Sequence, residues 1–577
     1  MSTAPKSAQP DWTGAAFVSL TSLFLIVVTT PVTRGDTLSY SLAIAPVIES
    51  GPLSSAAASL WEFGHLVWRP VGLILTKLWA EDLEPSAWDT VRAIFHTLRW
   101  LNIIAGALAV GLWFLIARRV VASRLLAAGL AVGFGCAHGF LTYADSGSSY
   151  VVGVSMMSTA AWLSLEAAER SRLTLTVATI VGILCAAAAL VWFPFVLCAP
   201  AAVLAAWFWK ARSLRPKDLA TRERLLFAAA ASAAFLILFG AFIGVALSVQ
   251  EIDTNEELSA WTGASSHGWT QNLNAVRLAT GLPRSFFYLG RDGVYWKRFL
   301  RKDPYAPVSM ARLLLGASLW KLAAYWLFLP LLVWACMRTI DGRRALLILA
   351  CAALPLLYFA VFLFEPSSPE RFLPAFPFLL LAAAAALREF PARKHPAAWG
   401  VAAFFVLVAA SNLYHMSPWV SARRHAPVIA RLEAIGPELR NGGVAATLML
   451  SDPIYTYLVN FPDSPHHPQR HAIYDVVEVA ATRVEVWREL FAVRVLSAWS
   501  NNEDVWVSKR LRSDKPAPEW YWTEGDDPRI QWTDLQPYFD EFEYDRDVGG
   551  DDGFLLLSRS PRNQALAASY AERVQHP

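Results

Sequence analysis

GAAFVSLTSLFLIVVTTP (residues 14–31), followed closely by Arg34-Gly35-Asp36, is the stretch that decides the fold class of this chain. The run carries no charged residue, and a helix that spans a bilayer needs about 20 mainly apolar residues. It lacks a convincing small-residue cleavage site, so we expect a retained first membrane helix rather than a cleaved signal peptide. The acidic residue just beyond it then lies where lipid headgroups meet water.

The composition of the whole chain also indicates a membrane protein. Of its 577 residues, 55% are hydrophobic and 17% are charged, and the mean hydropathy is +0.36, which is too apolar for an ordinary soluble protein. The 25 tryptophans suit aromatic belts at bilayer interfaces. A net charge of +3 gives no reason to expect a nucleic-acid partner. All five cysteines fall in apolar runs, so no disulfide framework is predicted.

Further apolar runs recur along most of the chain. By the length of a spanning helix we predict about eleven transmembrane helices. Their approximate ranges are 14–31, 99–117, 124–143, 147–166, 173–190, 191–209, 225–248, 312–336, 344–364, 371–388 and 397–413.

The orientation follows from the lysines and arginines between these runs. The basic loops are 117–124, 169–172, 210–224, 337–344 and 388–394. With eleven spans all five fall on one side, which the positive-inside rule makes cytoplasmic, together with the N-terminus. The external segments are then 32–98, 144–146, 249–311, 365–370 and everything after about residue 414. Residues 53–61 and 66–80, within the first of these, are expected to form helices along the interface.

The composition changes after residue 413, where charge rises and no further apolar span follows. Val444–Leu450, Asp504–Ser508 and Phe554–Ser558 have the pattern of short buried strands, and Ala480–Leu496 has helical spacing. We therefore predict two domains: an α-helical polytopic membrane domain over 1–413, with external loops 32–98 and 249–311, and an external α/β domain over 414–577.

Two acidic residues are candidates for chemistry at the external rim. Asp36 follows the first span, and a partly desolvated carboxylate there suits a general base that takes a proton from a hydroxyl. Asp145 lies in a very short external turn that holds it near the bilayer surface. The alternatives are that Asp36 closes a helix end or pairs with Arg34, and that Asp145 is the N-cap of the next helix.

Several other residues are candidate ligands at the same rim. Arginine suits a phosphate because its guanidinium binds phosphate oxygens bidentately, although ordinary snorkelling to the interface is the alternative. The candidates are His65, Arg69, Tyr150, Lys297, Arg298, Glu370 and Arg371. His466, His467 and His471 form a histidine cluster with Asp463 nearby, and a polar loop is favoured there over a metal site because no ligand spacing matches.

Taken together, these segments resemble the polytopic glycosyltransferases of the GT-C superfamily, particularly bacterial protein O-mannosyltransferases and aminoarabinose transferases. Arg34-Gly35-Asp36 occupies the place of the family's acidic residue after the first helix. Gly64-His65-Leu66-Val67-Trp68-Arg69-Pro70 is a loose counterpart of a His-Pro-Pro element and lacks its second proline. Glu370-Arg371-Phe372-Leu373-Pro374-Ala375-Phe376-Pro377 is similar to the family's Arg-Tyr-Leu-Leu-Pro-x-x-Pro. The resemblance covers residues 14–413.

The resemblance implies an inverting sugar transfer at the external face. The donor would be a polyprenyl-phosphate sugar held in the lipid bilayer, and the acceptor a glycan, lipid or protein hydroxyl. Asp36 would be the base, and Arg371, helped by Lys297 and Arg298, would stabilise the phosphate. Asp145 and Glu370 would orient the acceptor or, with Asp36, hold a divalent metal. The residues implied in substrate binding are Arg34, His65, Arg69, Tyr150, Lys297, Arg298, Glu370 and Arg371.

The compartment implied by the resemblance is the bacterial inner membrane, with the C-terminal domain in the periplasm. Three other functions stay open. A glycan polymerase or ligase also uses lipid-linked donors at the external face. A transporter or lipid flippase usually needs ionisable or broken-helix features near mid-bilayer, and the predicted spans are almost uncharged inside. A binding protein anchored by its membrane part would need far fewer spans.

Overall fold

The computed structural model describes most of the chain and divides it into two compact units. One comprises Met1–Leu289 with Ser318–Val420, and the other comprises Gly290–Ala317 with Ser421–Pro577. The described residues are 9–31, 33–80, 83–85, 88–209, 221–264, 275–289, 309–311, 319–363, 368–388, 396–441, 446–450, 454–464, 472–475, 484–512, 532–550 and 553–571. The predicted domain boundary at residue 413 lies seven residues before the division at Val420.

The first unit is a bundle of helices, as its continuous apolar runs require. Its helices up to Leu289 are α1 (Trp12–Val28), α2 (Thr37–Ile44), α3 (Trp68–Trp79), α4 (Trp88–Arg118), α5 (Arg124–Gly135), α6 (His138–Ala144), α7 (Tyr150–Glu169), α8 (Leu175–Val191), α9 (Ala199–Phe208), α10 (Thr221–Val249), α11 (Asn255–Ala264) and α12 (Ala275–Phe286). Those that follow are Leu319–Met337, Ile340–Tyr358, Phe376–Ala386 and Pro396–His415.

By length and composition, seven helices in the described part can cross a membrane, or eight if a bent pair counts as one span. The seven are Trp88–Arg118, Tyr150–Glu169, Arg222–Val249, Leu319–Met337, Ile340–Val361, Pro369–Ala386 and Pro396–His415. The chain is an integral membrane protein. Where the structure describes the eleven predicted runs it has helices, although run 124–143 is divided between α5 and α6. α1, α8 and the helical segment Phe193–Phe208 are shorter than a full span.

The structure also differs from the predicted loops in three places. α4 begins at Trp88, so its first turns occupy a segment predicted as external loop. α5 and α6 form the bent pair, with an angle of 72° between them. Within 53–80 the structure has a short 3-10 helix over Ser55–Leu60 and α3 over Trp68–Trp79, close to the two predicted interfacial helices.

Asn412 ties the break between α5 and α6 to two other parts of the bundle. Its side-chain amide donates to the Cys136 carbonyl at 2.7 Å and to the Phe286 carbonyl at 2.6 Å, and its oxygen accepts from the Tyr288 backbone N–H at 2.9 Å. Asn412 is fully buried. An apolar interior offers no water to these backbone groups, so the amide satisfies groups that the break and the end of α12 leave open.

The second unit contains a five-stranded mixed sheet. Its strands are β1 (Ala446–Leu450), β2 (Ala472–Asp475), β3 (Asp504–Ser508), β4 (Tyr544–Val548) and β5 (Phe554–Leu557), in the order β2-β1-β3-β5-β4. β1 pairs in parallel with β2 and β3, and β5 pairs antiparallel with β3 and β4. The helices that accompany it are Pro418–Asn441, Ile454–Asn460, Val484–Ser500, Trp532–Glu541 and Pro561–Ala571.

Candidate active site

The site is built around the short loop between α1 and α2. Gly35 has φ +56°, in the left-handed region that side chains rarely adopt. A Cβ at Gly35 would stand 2.5 Å from Ser148 Oγ and 3.0 Å from Tyr143 Cε1. Only glycine therefore lets the loop turn here while packing against the 143–148 segment, and the turn places Asp36 at the start of α2.

Asp36 is half-buried and contacts two tyrosine hydroxyls. Tyr40 OH donates to Asp36 Oδ2 at 3.4 Å, and Tyr150 OH donates to the same oxygen at 3.3 Å. Tyr40 lies one turn along α2, and Tyr150 is the first residue of α7. Among the described residues, none pairs a cation with this carboxylate. Asp36 is thus held by neutral donors.

Asp145, in contrast, is the centre of a buried ion triad. Arg99 Nε donates to Asp145 Oδ1 at 2.6 Å, and Arg34 Nη2 lies 3.5 Å from Oδ2. Asp145 is only 1% exposed. Burial raises the pKa of the Asp145 carboxyl, and the two arginines oppose that rise. Both oxygens are occupied, so the geometry makes Asp145 an anchor for the loop that carries Arg34.

Hydrogen bonds from three helices hold the backbone of the turn that follows Asp145. Gly147 N–H donates to Thr37 Oγ1 at 2.7 Å, and the Gly147 carbonyl accepts from Trp68 Nε1 at 2.8 Å. Asn102 Nδ2 donates to the Ser148 carbonyl at 2.6 Å. These bonds join α2, α3 and α4 to the turn before α7, and they fix where Tyr150 begins its helix.

Glu370 and Arg371 lie on the other side of Tyr150, in a 3-10 turn over Pro369–Ala375. Both are buried. Tyr143 OH donates to Glu370 Oε2 at 2.8 Å, and Arg371 Nη2 lies 3.6 Å from Glu370 Oε1. The Arg371 guanidinium also lies 5.9 Å above the Trp192 ring, and Trp192 packs edge-on against Tyr150 at 4.5 Å. Aromatic contacts therefore connect this cation to the residues around Asp36.

His65, which lies just before α3, contacts the two tyrosines that bind Asp36. Its Nδ1 lies 2.7 Å from Ser149 Oγ, and its ring packs against Tyr40 at 5.7 Å and Tyr150 at 6.0 Å. Burial lowers the pKa of His65, so the imidazole is neutral at pH 7. His65 is placed to hold the two tyrosines apart rather than to supply a positive charge.

Arg69 forms an ion pair with Glu62 and lies 5.1 Å above the Tyr40 ring. The structure thus brings together seven of the predicted residues: Arg34, Asp36, His65, Arg69, Tyr150, Glu370 and Arg371. Asp145 joins them through its ion pair with Arg34, and we call these eight residues the cluster. Lys297 and Arg298 lie outside the described residues, as do His466, His467 and His471.

Three residues that the structure places in contact with the cluster were not predicted from the sequence. Arg99 lies at the start of a predicted span, and an ionisable residue at a span end is a signal that points to it. Tyr40 and Tyr143 carry no such signal, because a tyrosine near an interface is ordinary. Within the described segments, no three His, Cys, Asp or Glu side chains lie close enough to hold a metal ion. Asp36, Asp145 and Glu370 each contact different partners.

The three carboxylates of the cluster therefore have different chemical character. Both oxygens of Asp145 face arginines, and the oxygens of Glu370 face Arg371 and Tyr143. Asp36 has only phenol donors in the described part, so no guanidinium neutralises its charge there.

Comparisons with known proteins give similarities to solved structures. No family model and no curated protein sequence matches the chain. ArnT from Cupriavidus metallidurans in its apo state aligns with a TM-score of 0.42 and 14% identity over 86% of this chain and 91% of that one. The same protein bound to undecaprenyl phosphate aligns with a TM-score of 0.37 and 15% identity over 87% and 93%.

The arabinofuranosyltransferase AftD from mycobacteria aligns with a TM-score of 0.43 and 15% identity over 90% of this chain. The chain spans 37% of the length of that protein. At these TM-scores, the role of each residue in this chain rests on its own contacts.

Proposed function

We propose that this protein is a membrane glycosyltransferase that moves a sugar from a polyprenyl-phosphate donor to an acceptor hydroxyl, with inversion. The observation that carries the proposal is the position of Asp36. It is a half-buried carboxylate beside arginines that are committed to other acids, and its own partners in the described part are two phenols. That is the arrangement a general base requires, because a base needs a carboxylate that is ionised but not neutralised.

The transfer is a single displacement. Asp36 takes the proton of the acceptor hydroxyl, and the acceptor oxygen forms a bond to the anomeric carbon of the sugar. The bond between that carbon and the donor phosphate oxygen breaks, and its electron pair leaves with the phosphate. Attack and departure occur on opposite faces of the sugar, so the anomeric configuration inverts.

Charge grows on the phosphate as its bond to the sugar breaks, and Arg371 supplies a cation for it. Its guanidinium lies 3.6 Å from Glu370 Oε1 and 5.9 Å above the Trp192 ring, and these two contacts hold it in position. A cation already fixed by its surroundings stabilises developing charge without reorganising. Lys297 and Arg298 are proposed to help bind the phosphate, as the sequence resemblance implies.

The location of the cluster supports a lipid donor. Asp36 and Asp145 follow membrane helices, and Arg371 precedes the helix Phe376–Ala386. The positive-inside rule puts these ends on the external side, which we propose to be the periplasmic face of a bacterial inner membrane. A polyprenyl tail remains in the bilayer while its phosphate reaches this rim. Residues 414–577 are proposed to lie on the same side.

The test is sugar transfer by the purified full chain in nanodiscs. Polyprenyl-phosphate sugars are offered with lipid, glycan and peptide acceptors to the wild type, to Asp36→Asn and to Asp89→Asn. Asp89 is a matched control because its side chain is 86% exposed at the start of α4. Transfer by the wild type and Asp89→Asn, with none by Asp36→Asn, is expected. If Asp36→Asn transferred sugar at the wild-type rate, Asp36 would not be the general base. If the wild type transferred sugar from none of the donors, the proposed glycosyltransferase function would be wrong.

One observation favours transport as a second candidate. The 72° bend between α5 and α6 is that of a broken span or a re-entrant loop, and broken helices commonly form the binding sites of transporters. A transporter predicts that proteoliposomes take up a lipid-linked sugar or its headgroup without any acceptor. A nanodisc has no second compartment into which a solute could be transported. Transfer of the sugar to an acceptor in nanodiscs would therefore favour the enzyme over the transporter.

A further inference from the structure

The two hydrogen bonds to Asp36 end on the same oxygen. Tyr40 OH and Tyr150 OH both contact Oδ2, at 3.4 Å and 3.3 Å. In the part of the chain that the structure describes, no hydrogen bond or ion pair reaches Oδ1. Asp145 and Glu370 differ in this respect, since both oxygens of each carboxylate face a partner. Asp36 is thus the one acid of the cluster with an oxygen left for a ligand.

The two phenols are held in place by packing around their rings. Tyr150 packs edge-on against Tyr143 at 4.8 Å and against Trp192 at 4.5 Å. Tyr40 packs against His65 and lies beneath the Arg69 guanidinium. Both tyrosines are buried. Their hydroxyls therefore reach Asp36 from fixed directions, without the loss of side-chain freedom that a mobile donor would incur on binding.

A phenol is a suitable partner for a carboxylate that must act as a base. It donates a hydrogen bond, which favours the ionised carboxylate, but it is neutral near pH 7 and leaves the negative charge in place. An arginine in the same position would neutralise the charge, as Arg34 and Arg99 do for Asp145. Two donors on one oxygen also prevent the carboxylate from rotating.

We propose that Tyr40 and Tyr150 are positioning residues that hold Asp36 through Oδ2 and leave Oδ1 as the oxygen that accepts the proton of the incoming hydroxyl. The inference rests on the proposed function and adds to it which oxygen reacts and what orients it. It changes the role predicted for Tyr150, which acts on Asp36 rather than on the substrate.

The test is the dependence of the transfer rate on pH for Tyr40→Phe, Tyr150→Phe and the double variant. Phenylalanine keeps the ring packing and removes the hydroxyl alone. Tyr325→Phe is the matched control, because the Tyr325 ring is buried against Phe286 and Phe404 in the helix Leu319–Met337. Melting temperatures of all variants establish that the fold is retained.

Each site variant is expected to lose roughly tenfold in rate at the pH optimum, the size of one hydrogen bond to a charged group. Its acid limb is expected to move to higher pH by about half a unit or more, further in the double variant, because the ionised carboxylate has lost donors. Tyr325→Phe keeps the wild-type profile. A structural role for the tyrosines would lower the rate at every pH without moving the limb.

The outcomes separate the two proposals. If the wild type transfers sugar and Asp36→Asn does not, an unmoved acid limb in both single variants and the double variant overturns the positioning role alone. If the wild type transfers nothing from any donor, the enzyme function fails, and the role of the phenols fails with it. A moved limb with retained melting temperature supports both.

Discussion

Tyr143 donates a 2.8 Å hydrogen bond to Glu370 across 227 positions of the sequence, and both side chains are buried. The bond joins the short helix before the Asp145 turn to the 3-10 turn that carries Arg371. The Tyr143 ring also packs against Tyr150. The two halves of the candidate site therefore meet at this pair, and disturbance of either residue reaches both Asp36 and Arg371.

Replacing Tyr143 by phenylalanine is expected to destabilise the fold. A buried carboxylate that loses a donor costs about 1–3 kcal/mol. Thermal unfolding in detergent should show a lower Tm for Tyr143→Phe than for Tyr325→Phe, which also removes a buried tyrosine hydroxyl. Equal Tm values for the two variants would mean that the Glu370 contact contributes little.

Replacing Asp145 by alanine is expected to damage folding more than any change at Asp36. The variant leaves the buried Arg34 and the partly buried Arg99 without the carboxylate between them, and breaking a buried pair costs about 3–5 kcal/mol. Expression in the membrane and Tm are the measurements, with Asp89→Ala as the exposed control expected to resemble the wild type. A fully stable Asp145→Ala protein without transfer activity would instead place Asp145 in the chemistry.

Replacing Gly35 by alanine is expected to abolish transfer while the protein still inserts. The new Cβ meets Ser148 Oγ at 2.5 Å in a backbone conformation of φ +56°, so the loop must move and take Asp36 with it. Gly51→Ala is the control, since nothing lies within 4 Å of its Cβ position. Both variants should elute as folded protein, and only Gly35→Ala should be inactive. Normal activity in Gly35→Ala would show that the loop tolerates displacement.

The second unit is expected to loosen in acid around His425. Burial, with Arg424 nearby, lowers the pKa of His425 to about 4 from an ordinary value of 6.5. Between pH 4 and pH 6.5, His425 binds a proton in the unfolded chain but not in the folded one. The stability of the fold is therefore retained above pH 6.5 and falls as the pH drops towards 4. Hydrogen exchange of the peptide 446–464 in the full chain, corrected for the intrinsic exchange rate at each pH, should rise at pH 5.

His425→Phe is the variant that tests the acid response. The His425 ring packs against Tyr457 and Phe461, so phenylalanine keeps these contacts and cannot take up a proton. The increase in exchange at pH 5 should shrink in this variant and remain in His96→Phe, a change in the first unit. The same acid response in all three proteins would assign it to other groups.

Much of the fold could be predicted because the bilayer imposes a simple length rule. Apolar runs such as 99–117 and 225–248 leave few structural choices, and helices lie at both of these runs. Hydropathy does not predict how far a helix extends beyond its apolar run. Trp88 to Leu98 mixes charges with apolar residues, and it became the start of α4 because its apolar face packs on the bundle. β4 was missed because most of its side chains are exposed.

The candidate site was predictable in its residue types and not in its pairing. Asp36, Asp145 and Arg371 stand out as ionisable residues beside apolar runs, which is a property of the sequence. That Arg34 pairs with Asp145 rather than with its neighbour Asp36 depends on a bond across 111 positions. The same holds for Tyr40, which reaches Asp36 only because Gly35 turns the chain into α2 at that point.

The three hydrogen bonds of Asn412 have a consequence for how the protein is made. Asn412 belongs to Pro396–His415, the last of the described helices that can span the membrane. Until that helix enters the bilayer, the Cys136 and Phe286 carbonyls and the Tyr288 amide lack the partner that satisfies them. A chain that ends before residue 412 would thus lack these hydrogen bonds at the α5–α6 break. We expect them to form only when the helix Pro396–His415 has entered the bilayer.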